Sequence, residues 1–371
     1  MIYFDHNATT GIDPRVHQEM YSMGTNPANP SSVHQYGRQA KQTVEAARNS
    51  LRQVLDAHDD CEVIFTASGT EANNIAIHSL AAQGKLTSTT EHQSVLGPIG
   101  EAKLGVDHNG ILKLDVLEHH LKTLDESGGI LVSVMLANNE TGVIQPIREI
   151  ADIAHHYGAI LHTDAVQAVG KIPVSMRELG VDMLSCSSHK IGGPAGVGAL
   201  LMRRGLPISK GLMQGGGQEY RLRPGSHNVC GIHGFAVALA LAPERVEQHA
   251  QVKLLRDHLE DSILKAHSSA EVVARNSTRL PNTSSIIMPG IKAEVQVIHF
   301  DLNGIATSAG SACSSGKVSV PYVHMSMGYS EKEAEAALRV SLAPGNSIDE
   351  VDRFVSAWGE IYSKSKDLKL T

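Results

Sequence analysis

The chain has 371 residues, of which 42% are hydrophobic and 34 are glycines. This composition is typical of a large globular protein and excludes the fibrous and disordered classes. No apolar run is long enough to span a bilayer, and residues 1–6 lack the basic and apolar regions of a secretory signal. The net charge of −7 comes from interspersed acidic and basic residues, so we expect a protein that binds neither nucleic acid nor membrane.

Four cysteines are spaced far apart along the chain, and none belongs to a Cys-x-x-Cys pair. They are Cys61, Cys186, Cys230 and Cys313. This spacing favours free thiols in a reducing compartment over a disulfide framework or a zinc site. The 20 histidines form no convergent ligand pattern. The sequence therefore predicts a cytoplasmic protein without a metal site, and it leaves the roles of Cys61, Cys186 and Cys230 open.

The first predicted elements in chain order are two loops and a helix. Residues 5–11 and 26–32 are dense in turn-forming residues. From Arg38 to Leu55, apolar side chains recur every three or four positions. This period predicts a long amphipathic helix.

A short β-rich run over residues 62–66 is followed by Ala67-Ser68-Gly69-Thr70-Glu71, which opens the next predicted helix. A small, hydroxyl-bearing turn at a helix N-terminus is suited to phosphate, because free backbone N–H groups and the positive helix end face the anion. Gly69 and Thr70 are the candidates for this contact. The same stretch also makes an ordinary helix cap, and that alternative stays open.

Strands and helices continue to alternate. Strands are predicted over residues 130–136, 159–163, 181–185 and 197–202, and a helix follows Pro146. This order predicts an α/β fold with a mostly parallel sheet, in which ligands bind beyond the carboxyl ends of the strands. Seven polar residues fall at those ends: Thr70, Asn139, Asp164, Gln167, Ser187, His189 and Lys190.

Lys190 follows a run of small, mostly hydroxyl-bearing residues and precedes a Gly-Gly-Pro turn. On this stretch alone, an ordinary surface lysine is the simpler interpretation. Together with the other residues at the strand ends, the lysine matches the needs of pyridoxal phosphate. That cofactor requires a lysine for its Schiff base and a carboxylate at its pyridinium nitrogen. Lys190 and Asp164 would supply these two groups.

Other residues complete the predicted cofactor site. Gln167 would hydrogen-bond the ring hydroxyl, and the phosphate would bind to Gly69, Thr70, Ser187 and His189. His92, in Thr90-Glu91-His92, is a candidate for stacking on the ring and for proton transfer. The alternative for His92 is a histidine that only begins a helix.

A second, smaller domain is predicted to begin near Ala250. It contains an amphipathic helix, two β-rich runs, a strand over residues 339–342, and a last helix whose capping box is Ser347 and Glu350. The predicted division of the chain has three parts: an N-terminal segment (1–12) packing near the small domain, a large cofactor-binding domain (13–249), and a small α+β domain (250–371) that carries the cysteine loop.

Cys313 lies in a stretch, residues 308–317, that is rich in glycine and serine and has no large apolar residue. This composition predicts a mobile polar loop, and the nearby Lys317 favours a thiolate. A free cysteine is more often a small buried hydrophobe, so this stretch alone does not establish a function for Cys313.

Seven motifs, in this order, resemble those of the cysteine desulfurases, which belong to the class V aminotransferase group of fold type I. The motifs are Asp5-His6-Asn7-Ala8-Thr9-Thr10, Ser68-Gly69-Thr70-Glu71-Ala72-Asn73-Asn74, Thr90-Glu91-His92, Asn138-Asn139-Glu140-Thr141-Gly142, His162-Thr163-Asp164-Ala165-Val166-Gln167, Ser187-Ser188-His189-Lys190 and Gly310-Ser311-Ala312-Cys313. The resemblance extends from Met1 to about Trp358 and implies the fold type I architecture.

The resemblance also implies roles for the matching residues. Lys190 is then the Schiff-base lysine, and the cofactor is lined by His92, Asn139, Asp164 and Gln167. Arg339, together with Asn139, would bind the carboxylate of the substrate, which a planar guanidinium suits.

Members of this family are homodimers in which the partner subunit completes the phosphate cup. The hydroxyl that matches this contact here is Ser226, at a position where the family usually has threonine. Gln218 stands where a histidine is frequent in the family. Neither departure removes an essential group.

The implied reaction removes sulfur from L-cysteine and gives L-alanine and a persulfide on Cys313. Lys190, with His92 as a second proton carrier, would move the substrate protons, and the loop would carry Cys313 between substrate and acceptor. The acceptor would be a protein such as an iron–sulfur scaffold, in iron–sulfur cluster or other sulfur-transfer biosynthesis. The alternatives are a selenocysteine lyase or an aminotransferase of the same fold, and a non-catalytic scaffold for sulfur transfer.

Overall fold

The structure is a computed structural model that describes residues 1–24, 26–124, 129–310 and 321–368. Its first elements in chain order are β1 (Ile2–Tyr3), α1 (Pro14–Met23), α2 (Gln35–Val54), β2 (Glu62–Thr66), α3 (Gly69–Ser79), β3 (Gly84–Ser88), α4 (Gln93–Ile99), β4 (Lys103–Leu104), α5 (Leu114–Thr123), β5 (Ile130–Ser133), α6 (Ile147–His156), β6 (Ile160–Asp164), α7 (Met176–Leu179), β7 (Met183–Ser187) and β8 (Gly198–Met202). The later elements are α8 (Val229–Ala240), α9 (Ala242–Ala266), β9 (Glu271–Val272), β10 (Thr283–Ile287), α10 (Ala293–Leu302), β11 (Ile305–Ala306), β12 (Ser308–Ala309), α11 (Tyr322–Ser326), α12 (Glu331–Glu335), β13 (Ala337–Ser341) and α13 (Ile348–Leu368).

A seven-stranded sheet in the order β2-β8-β7-β6-β5-β3-β4 is the largest of the described sheets. Only β8 runs antiparallel to its neighbours, and the remaining strand pairs are parallel. Successive residues of a strand enter different apolar clusters: Val63 packs on one side of the sheet and Ile64 on the other. Both faces are therefore covered, and the predicted mostly parallel sheet flanked by helices is confirmed.

The predicted elements of this sheet are present with shifted ends. α2 begins at Gln35, three residues before the predicted start at Arg38 (38 − 35 = 3). α6 begins directly after Pro146, as predicted, and it is followed by Gly158 in the left-handed region at a φ of 66°. β5 ends at Ser133, earlier than predicted, although the backbone N–H of Leu136 still donates to a carbonyl at the end of β6.

A four-stranded antiparallel sheet in the order β12-β13-β10-β9 forms the second layer of strands. A separate apolar cluster beside it contains Phe4, Phe300, Phe354 and Trp358, all fully buried. β1 pairs in parallel with β11, so the start of the chain is part of this second core. α9 passes without a break through residue 250, and its side chains Val252, Leu259 and Ile263 pack into the same cluster.

The predicted capping box at the start of α13 is confirmed. The Ser347 hydroxyl accepts the N–H of Glu350 at 3.3 Å, and the Glu350 carboxylate accepts the N–H of Ser347 at 3.0 Å. Among the described helices, none is by itself long and apolar enough to cross a membrane. α8 and α9 pass that test only as a pair, and they bend by 54° where they meet.

We expect Phe354→Ala to lower the free energy of unfolding by about 3–5 kcal/mol, because it leaves a cavity in the second core. Phe354 stacks on Phe300 with ring centroids 4.6 Å apart and meets Phe4 edge-on at 6.0 Å. Urea unfolding followed by circular dichroism measures the loss. Ser356→Ala, at an exposed position of the same helix, is the control. A loss no larger than that of the control would contradict the expectation.

Candidate active site

One cavity lies where the carboxyl ends of the parallel strands meet the N-terminal segment and β13. Ten of the predicted site residues line it: Gly69, Thr70, His92, Asn139, Asp164, Gln167, Ser187, His189, Lys190 and Arg339. The other two predicted residues are Ser226 and Cys313. Ser226 is exposed and does not line the cavity, and Cys313 lies outside the described residues.

Lys190 stands at the end of the short 3-10 turn that follows β7. Its Nζ donates to the backbone oxygens of Asn7 at 2.5 Å and Ala8 at 2.7 Å, and the side chain is half-buried. The sheet delivers the lysine to the cavity, and the N-terminal segment supplies its acceptors. Lys190 is therefore not an ordinary surface lysine.

Asp164 ends β6 and turns its carboxylate into the cavity. Its Oδ2 accepts from Nδ2 of Asn73 at 2.6 Å, and its Oδ1 accepts from the N–H of Val166 at 2.9 Å. These two bonds, one from α3 and one from the carboxylate's own turn, fix the plane of the carboxylate. Asn73 was not among the predicted site residues.

His92 both caps α4 and lines the cavity. Its Nδ1 accepts the N–H of Ser94 at 3.1 Å. Burial lowers the pKa of the imidazole, the Asp164 carboxylate opposes this shift, and the Lys190 cation adds to it. The ring is therefore uncharged at neutral pH. His92 therefore begins a helix and also lines the cavity, and its role in proton transfer stays a prediction.

The first turn of α3 also combines a cap with a lining role. Ser68 is the residue that caps the helix, and it accepts the N–H of Glu71 at 3.1 Å. Gly69 packs so closely that an added Cβ would come 2.7 Å from Cγ2 of Val166. A bare backbone at this point leaves room for an anion at the helix N-terminus.

His189 and Ser187 lie at the same end of the cavity as α3. His189 contacts Oγ1 of Thr9 through Nδ1 at 3.1 Å. Burial and the neighbouring Lys190 lower the pKa of His189 to about 4, so the ring is uncharged at neutral pH. An anion bound here would meet neutral hydrogen-bond donors and the end of a helix.

Arg339, on β13, is buried and supplies a cation to the cavity. Its Nη1 donates to the backbone oxygen of Asn139 at 3.2 Å, and its Nη2 donates to Oδ1 of Asp5 at 2.7 Å. The guanidinium is thus held between the β5–α6 loop and the N-terminal segment. This arrangement suits the binding of a small carboxylate.

Several buried polar atoms of the cavity have no hydrogen-bond partner among the described residues. They are Oδ1 of Asn73, Oδ1 of Asn139, Oγ of Ser187 and Nε of Arg339. Buried polar atoms are normally paired, so unpaired ones that surround a cavity indicate a polar ligand. Oγ of Ser187 and Nε of Arg339 can donate to an anionic group, and the two amide oxygens can accept from N–H or O–H groups of a ligand.

Asn7 is a highly connected residue that the sequence did not single out. It is buried, and its polar atoms receive or make seven hydrogen bonds. The partners come from β13, β10, the β5–α6 loop and the turns after β6 and β7. The sequence predicts that the Asp5–Thr10 motif is a loop, within an N-terminal segment that packs near the small domain. Its resemblance to the family was the one signal that could have pointed to Asn7.

The chain matches known proteins over nearly its whole length. The model of the aminotransferase class-V family matches residues 2–354. A cysteine desulfurase of Gluconacetobacter diazotrophicus is 37% identical over 99% of this chain and 94% of its own. The cysteine desulfurase NifS of Azotobacter vinelandii is 38% identical over 95% and 90%.

Solved structures agree with these relatives. The NifS-like protein of Rickettsia africae superposes with a TM-score of 0.91 at 37% identity and covers 98% of this chain and 99% of its own. The structure of SspA in complex with cysteine superposes with a TM-score of 0.77 at 28% identity, over 94% of this chain and 100% of that one. The predicted fold type I architecture is confirmed.

We expect Gly69→Ala to weaken the binding of pyridoxal phosphate about ten-fold or more, because the new methyl group would displace Val166 or the first turn of α3. Absorbance titration of the cofactor-free protein measures the change. Gly97→Ala is the control, because a Cβ at Gly97 has no neighbour within 4 Å. Equal affinities of the two variants would show that the close packing at Gly69 does not matter for the ligand.

Proposed function

The chain belongs to the class-V aminotransferase family and, within it, to the cysteine desulfurases, and from this we propose that it removes the sulfur atom of L-cysteine with pyridoxal phosphate as its cofactor. The observation that carries the proposal is the meeting of Lys190, Asp164 and Arg339 in one cavity. An amine, a carboxylate and a guanidinium are the groups that this cofactor and an amino-acid substrate require. The similar structure that contains cysteine supports this substrate.

The residues present fit the cofactor. Asp164 would pair with the ring nitrogen, Gln167 would donate to the ring hydroxyl, and the phosphate would bind to Gly69, Thr70, Ser187 and His189. The unpaired Oγ of Ser187 supports this phosphate position. When bound, pyridoxal phosphate supplies an electron sink for the electrons that remain when the substrate loses its Cα proton.

Lys190 and His92 are the groups that would move protons. The Lys190 amine is held in the cavity by the two backbone oxygens of the N-terminal segment and would take the Cα proton once it is free of the cofactor. The uncharged His92 is able to accept and return a proton at neutral pH. Arg339 and Asn139 would hold the substrate carboxylate, so that the Cα and sulfur atoms face the other groups.

Cys313 is the proposed sulfur acceptor, on the strength of its motif. The properties of the other cysteines support this choice. Burial raises the pKa of Cys61 to about 11 and that of Cys186 to about 12, so both thiols stay protonated at neutral pH. Cys230 is half-buried, with its Sγ 3.5 Å from the backbone oxygen of Met20. None of these three lines the cavity.

The proposed reaction balances without a further reagent. The Cys313 thiolate attacks the sulfur of L-cysteine, and the carbon–sulfur bond breaks. Its electron pair stays with the substrate carbon, which takes up the proton that the Cys313 thiol released on ionising. The products are L-alanine and the persulfide of Cys313. We further propose that a protein acceptor such as an iron–sulfur scaffold takes the sulfur, that the enzyme is a cytoplasmic homodimer, and that Ser226 reaches the phosphate of the partner subunit.

We expect Cys313→Ser to form alanine from L-cysteine more than about 100-fold slower than the wild type, and to form no persulfide. The reason is that the hydroxyl is a far weaker nucleophile toward sulfur. Alanine and persulfide are quantified in parallel, with Cys230→Ser as the control. Alanine formation by Cys313→Ser at the wild-type rate would contradict a desulfurase that uses this thiol and would favour another reaction of the same fold.

We expect Arg339→Lys to raise the KM for L-cysteine about 100-fold, because a point charge cannot replace a buried two-pronged contact. Steady-state kinetics of alanine formation measure KM and kcat separately. Arg203→Lys is the control, because Arg203 is half-exposed and pairs with Asp182 away from the cavity. An unchanged KM in Arg339→Lys would argue that the substrate carboxylate binds elsewhere.

A further inference from the structure

Lys171 is a second buried lysine beside the cavity, and the proposed reaction gives it no role. It lies four residues after Gln167 in the turn that follows β6, and its side chain is buried. Its Nζ donates to Oε1 of Gln167 and to Oδ1 of Asn7, each at 2.7 Å. Burial of a charged lysine among amides costs free energy, and this cost falls if the amine loses its charge. A lysine kept at such a position therefore calls for a role in the site.

The contacts of Lys171 match an uncharged amine. Such an amine has two N–H groups, which its two acceptors use completely, whereas an ammonium has three. No carboxylate among the described residues forms an ion pair with it. Burial lowers its pKa well below the usual value, and the cations of Lys190, after β7, and Arg339, on β13, lower it further.

Two histidines also face Lys171, and neither brings a charge at neutral pH. They are His6 of the N-terminal segment and His249 of α9. Burial is the main cause that lowers the pKa of each to about 4. Among the charged groups that act on Lys171, Lys190 and Arg339 are cations, and both favour the uncharged amine.

Lys171 and Lys190 are connected through two shared residues. Asn7 accepts Lys171 at its side-chain oxygen and Lys190 at its backbone oxygen. Gln167 accepts Lys171 at Oε1 and donates from Nε2 to that same backbone oxygen at 3.0 Å. Because Lys171 holds the oxygen of this amide, the second N–H of Gln167 stays available to a ligand in the cavity.

We propose that Lys171 is a positioning residue: its Nζ donates to Oε1 of Gln167 and fixes the amide, and through that amide it sets how readily the Lys190 nitrogen holds a proton. The inference rests on the proposed function, since it requires pyridoxal phosphate bound to Lys190. A hydrogen bond that Gln167 donates to the ring oxygen stabilises the negative charge on that oxygen. The oxygen then attracts the proton on the lysine nitrogen less strongly, so the nitrogen loses this proton at a lower pH. An amide free to rotate would lose this donation.

The test is a pH titration of the visible absorbance of the cofactor-loaded enzyme. We expect Lys171→Met to raise the pH midpoint of that band by about one unit, because the donation from Gln167 weakens. Lys103→Met, at an exposed position on β4, is the matched control and should leave the midpoint unchanged. A purely structural lysine would change the thermal stability of the enzyme without moving the midpoint.

A double-mutant comparison identifies the route. In a Gln167→Ala background, the additional change Lys171→Met should cause no further shift of the pH midpoint, because the amide through which Lys171 acts is gone. An equal shift in both backgrounds, or no shift in the folded single variant, would overturn the inference. Lys171→Gln, which is too short to reach both acceptors, carries the same test if Lys171→Met does not fold.

The same titration separates this inference from the proposed function. The visible band of the wild type should be absent in Lys190→Ala. A wild type that lacks a lysine-dependent band would overturn the proposed function, and the inference with it. A wild-type band that Lys171→Met leaves unmoved would overturn the inference alone.

Discussion

The site depends on the burial of one side chain, that of Asn7. A buried amide left without partners costs about 1–3 kcal/mol for each unpaired group, and Asn7 finds its partners at positions 132 to 334 residues further along the chain. They include Lys190, which follows the large sheet, and Ser341 and Thr283, which belong to the small sheet. Since these partners meet only in the complete fold, the N-terminal segment, the large sheet and the small sheet must assemble together before the cavity has its final shape.

The parallel sheet explains why so many polar side chains reach this cavity from one direction. Strands β2, β3, β5, β6 and β7 end at the same edge, and polar side chains that follow these ends line the cavity. A polar side chain at that edge can contact a ligand, and no charged group has to be buried inside the sheet. The antiparallel small sheet contributes differently: it places Arg339 opposite the edge, and the N-terminal segment closes the gap through Asp5. The substrate carboxylate would therefore bind between two separately packed cores.

The part of the site that could be predicted from the sequence is the part that local pattern determines. Lys190 and Asp164 follow short apolar runs, so the strand ends, and with them the edge of the sheet, could be located without knowledge of the fold. Asn7 and Lys171 could not be found in this way, because a loop and a short turn have no periodicity that reveals burial. Their importance comes from contacts between distant parts of the chain. Cys313 remains a prediction from its motif, since it lies outside the described residues.

Burial leaves two of the bases that line the cavity without a charge, and this bears on selectivity. The lowered pKa values of His92 and His189 make these rings neutral at neutral pH, so their contacts with a ligand are directional hydrogen bonds. A long-range attraction for any anion is then limited, and the Arg339 guanidinium selects carboxylates by shape. An amine, a carboxylate and a guanidinium serve any reaction of an amino acid on pyridoxal phosphate. Removal of sulfur needs one more group, a thiolate that can attack it, and burial keeps Cys61 and Cys186 protonated. The choice of reaction therefore depends on another thiol, and the motif around Cys313 makes Cys313 the proposed one.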